Sequence, residues 1–301
     1  MKKTIISSLF LAALTLMSCG RDSDTPNTPD TPDTPNPPET PKNPEKHSAS
    51  GNVSVSFKFN QDYQDLKYSV YVVENDIVLP ENPQKNYTNL YGGAAKLPDF
   101  KHNHTLKVAA GNTPATGASL GNVTASSTMD KNVSVNFEVH SENVDKTEVI
   151  VFVTDATGKV VNAQIAHANE TKDYEMVGTN YKHKYILEDV TGIWCGYCPR
   201  WAYLIDLAKE QSWASSLIPV GVHYGDILQV PSGKKIEKHF ENNYGLEGFP
   251  FALFNRDHSG DNFFEGAETW QNVMDNIGIA VGAEPTSPIG IKISSNFTVA
   301  Q

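Results

Sequence analysis

Residues 186–208, ILEDVTGIWCGYCPRWAYLIDLA, change pattern twice within one short stretch. An apolar run of strand composition stops at Gly192, and Cys195 and Cys198 follow. Beyond them Trp201, Leu204, Ile205 and Ala208 fall at i, i+3, i+4 and i+7, the spacing of one helix face. A strand, a CxxC turn and a helix are therefore expected in succession. Such a pair can exchange disulfides, help hold a metal or close a static disulfide. A structural zinc site needs four ligands, and the chain has no second CxxC or paired Cys/His motif. Attachment of a c-type haem requires histidine directly after the second cysteine, where this chain has Pro199.

The same regime continues on both sides. KYILEDVTG, LIPVGVHY and FPFALFNRD read as strands, SGKKIEKHFENNYG as a polar helix closed by glycine, and AETWQNVMDNIGIAV as a closing helix. Strands alternating with helices predict an α/β layer over 179–283. Upstream, NVSVSFKF, LKYSVYVVEN, HTLKVAAG and NVSVNFEV alternate apolar and polar residues. EVIVFVTDATGKVVNAQIA reads as a hairpin turning near Thr157–Gly158. Short strands with frequent turns predict an Ig-like β-sandwich over 47–178. PTSPIGIKISSNFTVAQ suggests that a further β segment starts within 284–301. The expected fold class is thus α+β with two domains, the sandwich first and the α/β domain second.

The N-terminus bears on compartment. Lys2 and Lys3 precede TIISSLFLAALTLMS, an apolar run too short to span a bilayer comfortably, so residues 1–18 read as an export signal. The following LMSCG resembles the lipobox of bacterial lipoproteins, which implies lipid on Cys19. Residues 19–46, rich in Thr, Pro, Asp and Asn, cannot bury a core and read as an extended tether. The net charge is −11, and loss of Lys2 and Lys3 with the signal makes it about −13. No basic surface for nucleic acid is expected.

Residues 186–200 resemble the first strand and active-site turn of the thioredoxin fold, with WCGYC as the specific part. That resemblance implies a redox disulfide Cys195–Cys198, with Cys195 as nucleophile at a helix N-terminus and Cys198 as resolving thiol. It implies that Asp189 is a buried acid able to move the proton of Cys198, and that Phe249–Pro250 is a cis bond beside the cysteines. Trp194, Gly196, Tyr197 and Phe249 would then line the substrate groove. The chain is also similar to the outer-membrane-protein-28-related lipoproteins of Bacteroidetes-type bacteria, through ILEDVTGIWCGYCP, VGVHYGD, YVVENDIV and FKHNHTLKVAA. This second resemblance implies an outer-membrane lipoprotein with a thioredoxin-like domain.

Three histidines are weighed separately. His223 ends a predicted strand where α/β sites gather, and reads as a hydrogen-bonded structural residue, with a role facing the cysteines as the alternative. His102 and His104 share a strand face without an apparent third ligand, so they read as packing or surface residues. NRDHSGDN lacks the acid spacing of an EF-hand and reads as a loop.

The expected function is a membrane-tethered thiol–disulfide oxidoreductase, reductase or isomerase in direction. It would need no cofactor and no metal. Its partners would be exported proteins carrying disulfides or thiols and an unidentified redox partner. It would sit at the outer membrane, anchored by lipid on Cys19, on the periplasmic or the outer face. The rival is a non-catalytic envelope lipoprotein whose β-domain binds a partner and whose cysteine-bearing domain is scaffold. Labelled lipid should be incorporated into the intact chain and lost in Cys19→Ser, as read by radiolabel or mass shift.

Overall fold

The computed structural model describes residues 42–257 and 270–300. Cys19, the export signal, the tether up to residue 41 and the 258–262 part of NRDHSGDN lie outside them. Residues 41–301 form one compact unit.

Eleven strands of four or more residues are present among the described residues. In chain order they are β1 (His47–Phe59), β2 (Tyr63–Glu74), β3 (Thr105–Ala109), β4 (Ala118–Val123), β5 (Thr128–Val139) and β6 (Thr147–Thr154). They continue as β7 (Val160–His167), β8 (Tyr185–Thr191), β9 (Leu217–His223), β10 (Phe251–Phe254) and β11 (Ile289–Val299). Three α-helices accompany them: α1 (Pro199–Ala208), α2 (Pro231–Asn243) and α3 (Trp270–Ala283).

The alternation of β1 places Val53, Val55, Phe57 and Phe59 on one face, all buried. β1 is central in a four-stranded antiparallel sheet, flanked by β5 and β11, with the short segment Thr171–Lys172 beyond β11. The β1–β11 register runs from Ala49↔Val299 to Phe59↔Ile289. The segment read as the start of something further therefore lies beside the first strand. Its Ile289, Ile291 and Ile293 join the core made by β1, β2, β5 and β6.

The second sheet runs β7-β6-β2-β3-β9-β8-β10, with β4 paired to β2. This order overturns the expected two-domain fold of a sandwich followed by a thioredoxin-like α/β domain. The strands read as a separate α/β layer continue the sheet that the upstream strands begin. The join is the parallel bridge Gly221↔Thr105 between β9 and β3, with the Gly221 N–H donating to His104 O at 2.7 Å. Local periodicity identifies strands and helices but carries no information about which sheet a strand enters. β9 is buried on both faces, so an open edge there would leave backbone groups unpaired, and β3 meets that edge at Gly221.

Alternate residues of this long sheet feed different cores. Tyr71, Ile150, Phe152, Ile186, Val190, Val220, Val222, Phe251 and Leu253 pack with Ile236 and Phe240 of α2. On the opposite face Tyr185, Leu187, Ala252 and Phe254 pack against Trp201 and Leu204 of α1 and Ile277 of α3.

Inside the α2-side core lies an ion pair. Arg256 donates through Nε to Glu188 Oε2 and through Nη2 to Oε1, both at 2.7 Å. Its Nη2 also donates to the Tyr71 hydroxyl at 2.8 Å, and Nη1 to the Ala115 carbonyl. The rings of Phe152 and Phe240 lie 5.0 and 5.4 Å from the guanidinium. Removing one partner strands a charge in an apolar core. Glu188→Ala should lower unfolding stability by about 3–5 kcal/mol, whereas Glu188→Leu/Arg256→Met should cost much less. Urea titration of the three proteins checks both.

Candidate functional site

The last residues of β8 deliver the chain into the cysteine turn. The Cys195 N–H donates to Gly192 O at 2.9 Å, and the Cys198 N–H to Cys195 O at 3.4 Å. Helix α1 starts at Pro199, with Cys198 as its cap. Proline suits a first helical position because its missing N–H would have no intrahelical acceptor there. Cys195 therefore lies one turn before the helix, and Cys198 occupies the N-terminal position expected of Cys195. Pro199 was the sequence signal for this boundary.

Cys195 and Cys198 form a disulfide with a Cα separation of 5.4 Å. Both are buried, at 4% and 2% exposure, which is not the open position that a nucleophilic thiol needs. The cover is a segment that the sequence reading left unassigned, Gln84–Tyr87. Gln84 Nε2 donates to Cys195 O at 2.9 Å and to Gly192 O at 3.3 Å. The Lys85 N–H donates to Ile193 O at 2.9 Å, and the Tyr87 N–H to Gly196 O at 2.7 Å. The Tyr87 ring sits where a Cβ on residue 196 would be, so Gly196 is required by close approach. ENPQKNYTN carries no pattern that marks it in sequence, and in the fold its Gln84 and Asn86 are buried.

Aromatic side chains surround this turn. Tyr197 lies edge-on to Tyr87 at 5.7 Å, and Arg200 stacks over Tyr197 at 5.1 Å. Trp194 packs edge-on against Phe249 at 5.2 Å and donates through Nε1 to Tyr224 O at 2.7 Å. Phe249–Pro250 is cis. Trp194, Phe249 and Pro250 thus stand together beside the turn, with Gly196 and Tyr197 under the Gln84–Tyr87 strap.

Asp189 sits on the opposite face of β8 from Glu188, as strand alternation requires. It is 6% exposed, its Oδ1 has no hydrogen-bond partner, and burial pushes its carboxyl well above the usual carboxylate range. Its neighbour across the sheet is Gly221, which contributes no side chain. A cavity of about 830 Å³ opens there, with Asp189, Cys198, Gly221, His102, His104 and His223 among its lining residues.

The histidines have separate environments. His223 pairs through Nδ1 with Asp226 Oδ2 at 2.8 Å, and Asp226 also accepts the N–H groups of Ile193 and Leu228 at 2.8 Å. The hydrogen-bonded structural reading of His223 agrees with this contact, and the residue also lines the cavity beside Cys198. His102 is buried, with its ring 5.3 Å from that of His223, and burial lowers its pKa to about 3. Neither ring nitrogen of His104 makes a hydrogen bond, Nδ1 lying 3.9 Å from Glu148 Oε2, and burial lowers its pKa to about 4. Among the described residues no group of three or more His, Cys, Asp or Glu side chains is disposed to hold a metal ion.

The family model described as outer membrane protein Omp28 matches residues 42–172. That match associates the chain with the outer membrane, and it includes the strap, His102 and His104 but ends before the cysteines. No curated protein and no solved structure matches.

His102, His104 and His183 are all held neutral by burial, with pKa values lowered to about 3, 4 and 4. Between about pH 6.5 and 4 the unfolded chain binds protons at these positions that the folded protein does not. Stability should therefore fall as pH drops through that window, and His104→Gln should flatten the decline. Melting temperature against pH measures it.

Proposed function

We propose that this chain is a thiol–disulfide oxidoreductase of the outer membrane, anchored by lipid on Cys19, with Cys195 and Cys198 as its redox pair. The observation that carries this reading is the position of a buried Asp189 carboxyl, its Oδ1 without a hydrogen-bond partner, on the cavity that Cys198 lines. A carboxyl whose pKa is raised by burial carries a proton that it can give to a departing thiolate and later recover. In reduction, Asp189 protonates Cys198 at the step in which that sulfur departs as thiolate. When the disulfide closes, Asp189 takes that proton back.

Exported proteins with disulfides or thiols are the proposed substrates. Cys195 meets them as nucleophile, and Cys198 resolves the mixed disulfide. Trp194, Gly196, Tyr197, Phe249 and Pro250 frame the substrate side. Since Tyr87 covers Gly196, the strap must lift before a protein chain reaches Cys195.

One observation favours a second reading. Cysteines only 4% and 2% exposed suit a static disulfide in a binding lipoprotein. The reduction potential separates the two, since structural disulfides lie below about −300 mV and exchanging ones lie above it. Asp189→Asn adds a readout specific to proton transfer. With thiol ionisation corrected for, reduction of the native protein should slow as pH rises past the Asp189 pKa. The variant should be slower by about a hundredfold at neutral pH and lose that dependence. An unchanged pH profile would remove Asp189 from the mechanism.

A further inference from the structure

The two sulfurs of the disulfide have different surroundings. Cys195 lies beneath the strap, whose Gln84 and Tyr87 bond to the carbonyls of Cys195 and Gly196. Cys198 lines the cavity, and Cys195 is not among its lining residues. At about 830 Å³ this space is of the size that takes a small molecule, and far too small for a folded protein. We propose that the cavity admits a low-molecular-weight thiol carrying both an ammonium and a carboxylate, which reduces the pair by attacking Cys198. This rests on the oxidoreductase reading and names the class of its electron donor.

The floor and the mouth support the same ligand. The lining combines Cys198 with Asp189, which is more than nine-tenths buried and has an Oδ1 without a hydrogen-bond partner, and with His104, whose ring nitrogens accept and donate no hydrogen bond and whose Nδ1 lies 3.9 Å from Glu148 Oε2. Neutral hydrogen-bonding groups of this kind favour a polar but compact guest. The mouth carries Lys96, Lys101 and Lys209 together with Asp76, Asp99 and Asp206. Lys101 pairs with Asp76 at 3.0 Å and Lys209 with Asp206 at 2.8 Å, so both signs of charge are held at the rim. A ligand with one charge of each sign can exchange into such pairs, whereas a singly charged ligand leaves a partner unmatched.

The chemistry balances with two molecules of donor thiol. The first, as thiolate, attacks Sγ of Cys198; a donor–Cys198 disulfide forms, the Cys195–Cys198 bond breaks, and Cys195 leaves as thiolate and is protonated from solvent. The second donor thiolate attacks the donor sulfur of that mixed disulfide. The oxidised donor disulfide leaves, and Cys198 departs as thiolate and takes the proton of Asp189, which is replenished from solvent. Two electrons pass from donor to protein.

The test uses the oxidised protein and four probes: L-cysteine, cysteamine, 3-mercaptopropionate and 2-mercaptoethanol, with rates corrected for thiol ionisation. Reactions quenched with N-ethylmaleimide should carry the donor on Cys198 and the alkyl group on Cys195, and L-cysteine should be fastest. The nearest atoms to a Cβ on Gly221 are the carbonyl oxygens of Asn103 and His104, both at an ordinary contact of 3.5 Å, so a modest side chain fits there. Gly221→Val should narrow the cavity and slow reduction by L-cysteine about tenfold. The rim variant Lys101→Glu/Lys209→Glu, altered only at exposed positions, should shift preference from 3-mercaptopropionate toward cysteamine by about tenfold. Adducts on Cys195, or rates that ignore both variants and follow thiol ionisation alone, would overturn the cavity route. If the pair is reduced by a protein dithiol but by none of the four probes, the route fails and the oxidoreductase reading stands. If the native protein resists every thiol and yields only in denaturant, both fail.

Discussion

Everything in the larger sheet is organised around the charge that Glu188 and Arg256 bring into an apolar core. Moving either ion out of water costs several kcal/mol, and only close pairing with full hydrogen bonding offsets that. Here the offset is met by two bonds of 2.7 Å, with Tyr71 and the Ala115 carbonyl taking further guanidinium donors. Those partners come from β2, the loop before β4, β8 and the turn after β10. The two late residues pair with each other, and the remaining guanidinium donors reach Tyr71 and Ala115 only when the early strands share that core, so the cluster favours the continuous sheet over two separate layers.

That continuity also creates the site. Because β3 enters beside β9, the residues before it place His102 and His104 over the end of β9, next to Asp189 and Cys198. The glycine at 221 leaves the space that a side chain would otherwise take. The same upstream region supplies the strap, whose Gln84, Lys85 and Tyr87 hold the carbonyls of the cysteine turn. The disulfide is thus covered by the strap at Cys195, with Cys198 on the lining of the cavity.

Burial sets the chemistry on the vented side. Low local polarity disfavours charge of either sign, which raises the Asp189 carboxyl and lowers the His102 and His104 imidazoles. The cavity floor is therefore held neutral, a setting in which a carboxyl retains a transferable proton and a thiolate attack meets little competing charge. The rim, exposed and rich in paired lysines and aspartates, has the opposite character.

The sequence by itself determined the local elements, because hydrophobic period and turn residues act over a few positions. The alternation in β1 and β5, the strand–CxxC–helix order and the opposite facing of Glu188 and Asp189 were all legible. So was the cis Phe249–Pro250 bond, through resemblance of its motif. What only the tertiary structure decided was partnership at long range. Nothing in LIPVGVHY says that Gly221 bridges Thr105, nothing in ENPQKNYTN says that it roofs the cysteines, and Arg256, read as part of a loop, carries a buried ion pair. Each depends on backbone groups and charges finding partners well beyond the reach of local pattern, 68 residues away for Arg256 and Glu188 and more than a hundred for the other two, and local periodicity holds no record of that choice.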